Sequence, residues 1–169
     1  MLENVCLAIK VALDLNIKKK IIQKTLPTLS FVGRFQYLNK GKIKNKLCRN
    51  ETILIDGAHA TTDAKNLASY LKNIKVPKYG IWAMMKNKEP DLFIKQLKGI
   101  FKKVVTMPIE NEFNSVSANN LFKIATKNRF KAEKSSNLTE ALNKISSVEK
   151  KLIVCFGSLY NCGNILNKN

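Results

Sequence analysis

Histidine and tryptophan each occur once in these 169 residues, and cysteine occurs four times with no pair at CxxC spacing. A structural zinc site, which draws its ligands from Cys and His, is therefore not expected, and no metal-ligating residue is assigned. Cys6, Cys48, Cys155 and Cys162 read instead as reduced, mostly buried thiols of a cytoplasmic protein. No apolar run approaches the ~18–20 residues of a membrane span. The segment Met1-Leu2-Glu3-Asn4-Val5-Cys6 has neither the basic head nor the apolar stretch of a signal peptide. Glycine-rich phosphate motifs are missing too: no GxGxxG follows a strand and no GxxxxGK[ST] occurs. With a single imidazole, Ser158 in Gly157-Ser158-Leu159-Tyr160 has no partner histidine to spare and no nucleophile-elbow context, which excludes a Ser-His hydrolase.

Acids are scarce. Twelve Asp and Glu face thirty Lys and Arg, for a formal charge of +18. Such an excess can be the footprint of a polyanion partner. Here the lysines are spread along the chain beside abundant asparagine and isoleucine, which suggests a compositional bias. Clusters such as Lys18-Lys19-Lys20 and Lys40 to Lys46 have few interleaved aromatics on which bases could stack. A solvated basic surface is favoured over a nucleic-acid partner. A basic Rossmann-like, polyanion-binding module without catalysis is kept as the alternative.

What is present is a regular alternation. Leu2, Cys6, Ile9 and Leu13 recur at helical spacing, and Ile17, Ile21 and Ile22 suggest a second short helix that ends before Pro27. A boundary near residues 25–30 divides a short helical segment, 1–28, from an α/β domain, 29–169. Phe31 to Tyr37 reads as a strand, and Lys40 to Lys46 as an exposed turn or hairpin. Strands then follow at Ile53–Ile55, Tyr79–Met85, Val104–Met107, weakly at Phe130–Ala132, and most strongly at Leu152–Phe156. Helices between them carry Ala64, Leu67, Ala68, Leu71 and Ile74; Phe93, Ile94, Leu97, Ile100 and Phe101; Ala118, Leu121, Phe122 and Ala125; and Leu138, Ala141, Leu142 and Ile145. Ser117 and Asn137 are the expected N-caps. Nearly all-apolar strands alternating with amphipathic helices predict a Rossmann-like, mostly parallel sheet covered on both faces.

In such a sheet, groups at the carboxyl ends of strands line the ligand crevice. Ile53-Leu54-Ile55 ends there in Asp56-Gly57-Ala58-His59. Asp56 could accept from ribose hydroxyls, position a cation, or only cap the next helix. His59 could bond a base or phosphate or transfer a proton. Arg34, in Gly33-Arg34-Phe35-Gln36, could clamp phosphate oxygens or pair with an acid at a sheet edge. Lys88 sits in the loop after another strand, where it could meet a substrate carboxylate.

Together, Gly33-Arg34-Phe35-Gln36, Asp56-Gly57-Ala58-His59, the Met85 to Glu89 loop and Cys155-Phe156-Gly157-Ser158-Leu159-Tyr160 resemble the C-terminal domain of folylpolyglutamate synthase/dihydrofolate synthase, a branch of the Mur ligase superfamily. The family writes these blocks roughly as PGRFQ, DGAHN, M-x-DKD and CGSLY. Glu3 to Ala8 resembles the HQxxNAxxA segment near the end of the family's central ATPase domain. The resemblance runs from about residue 2 to 166, and by it Met1 lies inside a domain whose larger part is absent. It implies an ATP- and Mg2+-dependent ligase that adds L-glutamate to folate or dihydropteroate through an acyl phosphate, with most Mg2+ ligands in that absent portion. By similarity Arg34 would contact ATP phosphates, Asn4, Asp56 and His59 would address the adenosine end, and Lys88 and His59 would stand by the reacting groups. Either a separately encoded N-terminal portion is the implied partner, or the gene is a remnant. A fragment of a peptidoglycan Mur ligase is the further alternative, disfavoured by GRFQ together with GSLY. The chain departs from the pattern at Ala60, where asparagine is usual, at Asn87 and Glu89 in place of two aspartates, and at Ser30 to Val32, which lack Trp-Pro.

Overall fold

The computed structural model describes residues 2–169, with side chains from Asn4 onward. Met1 and the side chains of Leu2 and Glu3, on which part of the helical pattern and of the resemblance falls, lie outside the described residues. Two units divide the chain, Met1–Val32 and Gly33–Asn169.

The first unit holds α1 (Leu2–Asp14), α2 (Lys19–Thr25) and a 3₁₀ turn, Leu26–Thr28, with Pro27 inside it. Ala8, Ile9 and Ala12 of α1 face Ile21, Ile22 and Leu26 around a shallow apolar hollow of about 250 Å³. Leu7, Val11 and Leu15 stand exposed. Two short helices cannot bury an apolar stripe by themselves.

The second unit is a six-stranded sheet in the order β1-β2-β6-β3-β4-β5. Its strands are β1 (Gln36–Tyr37), β2 (Glu51–Asp56), β3 (Lys78–Trp82), β4 (Lys103–Thr106), β5 (Ala132–Lys134) and β6 (Lys151–Phe156). All neighbours pair parallel except β1, which lies antiparallel to β2. Successive side chains of a strand face opposite ways. Leu54, Trp82, Val104, Val154 and Phe156 therefore share one core with α4 (Thr61–Lys72), α5 (Pro90–Lys95) and α6 (Ala118–Lys127). Ile53, Ile55, Ile81, Ile153 and Cys155 share the other with α3 (Lys42–Lys46), α7 (Leu138–Ile145) and α8 (Leu159–Lys168). The mostly parallel, doubly covered α/β architecture read from the pattern is thus the architecture observed.

Several local expectations change. Between Phe31 and Tyr37 only Gln36 and Tyr37 join the sheet, because Gly33 and Phe35 take left-handed backbone (φ 69° and 44°) that cannot extend a ladder. Lys40 to Lys46 is not a hairpin: Ile43 buries its side chain and turns Lys42–Lys46 into the short α3, whose entry is pinned by Lys42 N–H donating to Asn169 O (2.7 Å). α5 stops at Lys95, so Leu97, Ile100 and Phe101 pack from turns rather than from one helical face. The final helix, α8, was not legible as a separate element. Ser117 and Asn137 cap as expected, accepting from Asn120 and Glu140 N–H, but Glu140 reaches back to Ser136 instead of Asn137.

At the amino ends of β2 and β6, Glu51 and Lys151 form a buried ion pair at 3.6 Å. The Glu51 carboxylate also accepts from Cys48 N–H (2.9 Å) and Ser147 N–H (2.9 Å), tying both strand entries to their loops. Removing one member of a buried pair strands the other's charge. Lys151→Met is expected to lower unfolding free energy by about 3 kcal/mol, and Glu51→Ala by more, since it also orphans two amides. Urea unfolding midpoints check this; equal midpoints for both variants and wild type would contradict it.

Candidate functional site

The helix after β2 and the helix after β3 pack on one face of the sheet, whereas β6, lying between those strands, sends α8 to the other. Chain segments diverge at such a point and leave a crevice beyond the carboxyl ends of the strands. Asp56 and Phe156 are level there, cross-strand partners in register.

Three loops close on this rim. The first is the turn at Gly33–Gln36, held to the second by Gly57 N–H donating to Gly33 O at 2.7 Å, and internally by Gly33 N–H donating to Gln36 Oε1 at 2.8 Å. The third, the Gly157–Ser158 turn into α8, sets Leu159 against Gly57: a Cβ on Gly57 would stand 2.2 Å from Leu159 Cδ2 and 3.2 Å from its Cα. Glycine is needed at 57 for this approach, not for a special φ.

Asp56 joins the loops. Its Oδ2 accepts from Phe35 N–H (2.8 Å) and its Oδ1 from Ala58 N–H (2.8 Å), and the residue is 2% exposed. Burial pushes the carboxyl above its ordinary 3.8, against the opposing pull of those two amides and of the Arg34 charge. Behind it, the Cys162 thiol is pushed up to about 12, by burial first and then by the Asp56 charge. Such a thiol is inert at neutral pH.

Arg34 is carried to the same rim, half-buried, with Nη1 3.8 Å from Asp63 Oδ2. His59 donates from Nδ1 to Gly57 O at 2.7 Å, since a carbonyl can only accept. In the neutral ring this leaves Nε2 as an acceptor. Asp63 was missed from sequence. Its Oδ2 accepts from His59 N–H (3.2 Å) and Ala60 N–H (3.4 Å) and lies 3.8 Å from His59 Nδ1. An acid at the third position of a helix whose N-cap, Ala60, offers no side-chain acceptor was the available signal. Arg34, Asp56 and His59, from sequence positions up to twenty-five apart, are therefore brought together.

Lys88 stands elsewhere on the rim, half-buried in the turn after β3, with its N–H bonded to Met85 O (3.3 Å). Its strand lies two places from β2, about 10 Å away. Asn4 lies exposed on α1, in the first unit. Among the described residues no group of three His, Cys, Asp or Glu side chains gathers to hold a metal ion. Nor is any helix among the described residues long and apolar enough to cross a membrane.

Comparison with known proteins gives a consistent picture. Residues 39–168 match the family described as dihydrofolate synthetase, C-terminal domain. The fold is similar to that of Mycobacterium tuberculosis folylpolyglutamate synthase complexed with ADP (TM-score 0.75, 17% identity, 89% of this chain and 35% of that one). It is also similar to Escherichia coli FolC in complex with DHPP and ADP (TM-score 0.73, 14% identity, 89% and 34%). A third similar structure is the bifunctional folylpolyglutamate synthase/dihydrofolate synthase of Yersinia pestis complexed with AMPPNP and Mn (TM-score 0.72, 18% identity, 89% and 34%). This chain thus spans about a third of the length of those proteins. No curated protein sequence matches it.

Because burial raises the folded Asp56 value above the unfolded one, its contribution to stability is fullest below 3.8 and is lost as pH rises through the folded value. Carboxyl 13C titration of the folded chain, assigned by comparison with Asp56→Asn, is expected to place the Asp56 inflection above 3.8. An inflection at or below that value would contradict the burial described here.

Proposed function

Since the chain belongs to the dihydrofolate synthetase C-terminal domain family, we propose that it supplies the C-terminal domain of a cytoplasmic ATP-dependent ligase that joins L-glutamate to dihydropteroate or folate. The observation that carries the reading is the convergence of Arg34, Asp56 and His59 on one rim of the sheet. In the proposed reaction the acceptor carboxylate takes the γ-phosphoryl group with loss of ADP, and the glutamate amine then displaces phosphate from the acyl phosphate.

The residues present fit one side of a nucleotide. Arg34 offers a guanidinium fork at the rim, suited to phosphate oxygens, and charge at that place assists phosphoryl transfer by positioning and neutralisation. Asp56 is first a frame for the loops. Each of its oxygens keeps acceptor capacity beyond its one amide, through which a ribose hydroxyl could be held. His59, whose Nδ1 is taken by Gly57 O, keeps Nε2 with which it would bond the adenosine end or take a proton. Lys88 would meet a substrate carboxylate further along the rim; for Asn4, in the first unit, the resemblance alone suggests a nucleotide contact. Among the described residues no cluster of acidic side chains fits magnesium; the resemblance puts its ligands, with the phosphate loop, in an N-terminal portion.

The polyanion alternative finds less support. At the opposite end of the sheet Lys102, Lys103, Lys131, Lys144 and Lys151 surround a hollow of about 450 Å³. Three of these five ammoniums already carry acid partners: Lys103 with Glu133, Lys144 with Glu140, and Lys151 with Glu51.

Because the chain spans about a third of the length of its structural relatives, the 169-residue chain alone is expected to bind ATP weakly and to release no ADP. Mixed with a separately expressed N-terminal ATPase portion, it is expected to give ADP release that requires both dihydropteroate or folate and L-glutamate. Arg34→Ala should then lower kcat/KM by about 100-fold or more. Submicromolar ATP affinity of the lone chain by calorimetry, or unchanged turnover in Arg34→Ala, would contradict the proposal.

A further inference from the structure

The Arg34 guanidinium does not stand free. Its nearest acid is Asp63, at 3.8 Å from Nη1, and the same Asp63 Oδ2 lies 3.8 Å from His59 Nδ1. One carboxylate oxygen thus sits between the two cationic or ionisable groups that face the rim. Both Arg34 and Asp63 side chains are about 30% exposed, at 29% and 30%, so the pair is neither locked in the core nor fully solvated. The position of Asp63 is itself fixed. It lies in the first turn of α4, where Oδ2 accepts from His59 and Ala60 N–H.

We infer that Asp63 is an internal stand-in for a ligand phosphate: it holds Arg34 and His59 at the rim, and an incoming phosphate takes its place at Arg34. The inference rests on the reading of Arg34 as a phosphate contact and goes beyond it, by naming what the phosphate must displace. The chemistry follows from geometry. A guanidinium offers a planar set of donors that one carboxylate oxygen at 3.8 Å leaves unsatisfied, since that distance exceeds a hydrogen bond. A phosphate has oxygens enough to take two of those donors at bonding distance. Asp63 therefore orients Arg34 without satisfying it, and stays in place after displacement because its amide bonds to His59 and Ala60 do not depend on Arg34. Asp63 is a positioning residue; it is not placed on the reacting atoms. Its charge opposes anion binding while its anchoring of the His59 loop preserves the site's shape.

Asp63→Asn separates those two effects, because the amide oxygen still accepts from His59 and Ala60 N–H while the charge is gone. The test is a titration of the full 169-residue chain with inorganic pyrophosphate, read from the Arg34 side-chain and the Gly33 and Gly57 amide NMR signals. Asp63→Asn is expected to tighten pyrophosphate binding by about twofold to fivefold, the range of an exposed ion pair, and the gain should shrink at high salt. Asp63→Glu should return to near the wild-type affinity. In Arg34→Ala the Asp63→Asn gain should disappear. A purely structural role predicts the opposite sign, weaker binding with a lowered unfolding midpoint. Equal affinity in wild type and Asp63→Asn, with both lost in Arg34→Ala, would overturn the stand-in while leaving Arg34 as a phosphate contact. A gain that survives Arg34→Ala would also overturn it, and absence of any response at Arg34 in every variant would overturn both readings.

Discussion

One buried carboxylate, Asp56, fixes the geometry on which the rest of the rim depends. Its two oxygens take one amide from the turn before β1 and one from the turn after β2. The first of these, Phe35, sits at φ 44°, a left-handed conformation that costs a non-glycine residue about 1 kcal/mol or more. The hydrogen bond from Phe35 N–H to a desolvated acid offsets that cost, and the Phe35 ring packing on Tyr70 at 4.7 Å adds to it. The consequence falls on the neighbouring residue, since fixing residues 33 and 35 fixes the direction in which Arg34 leaves the backbone.

This explains why the chain tolerates an acid in so dry a place. A carboxylate kept charged by two amides and a nearby guanidinium loses hydration that those partners only partly replace, and its raised affinity for protons records the deficit. The sheet contributes the rest of the arrangement. Inserting β6 between β2 and β3 reverses the side to which the following helix runs, which opens the crevice and brings Leu159 and Cys162 against Gly57 and Gly33. Fold and site are therefore one construction: the strand order makes the crevice, and Asp56 sets which side chains line it.

Most of the architecture was readable from apolar periodicity, because strands buried on both faces leave little choice of side chain: Ile53 to Ile55 and Leu152 to Phe156 admit no other reading. What escaped were features decided by tertiary contact. Ile43 makes a helix of a lysine-rich stretch only because a core is there to receive it. The turn at Gly33–Phe35 interrupts an apparently extended run because Asp56, twenty-one residues later, captures an amide. Arg34, Asp56 and His59 were identifiable by chemical type at strand ends, while Asp63 was not, since an acid in the first turn of a helix is ordinary and its nearness to Arg34 exists only in three dimensions. Lys88 was equally visible in sequence, yet it lies on a different strand end from the other three.

The central claim is that the Asp56 carboxylate holds the Arg34 turn against the end of β2. Amide hydrogen exchange at Phe35 measures it directly. The account predicts protection of about 100-fold or more over an unstructured peptide in the wild type, lost in Asp56→Ala while amides of β6 such as Val154 stay protected. Exchange of Phe35 at the rate of a free loop in the wild-type chain would contradict it.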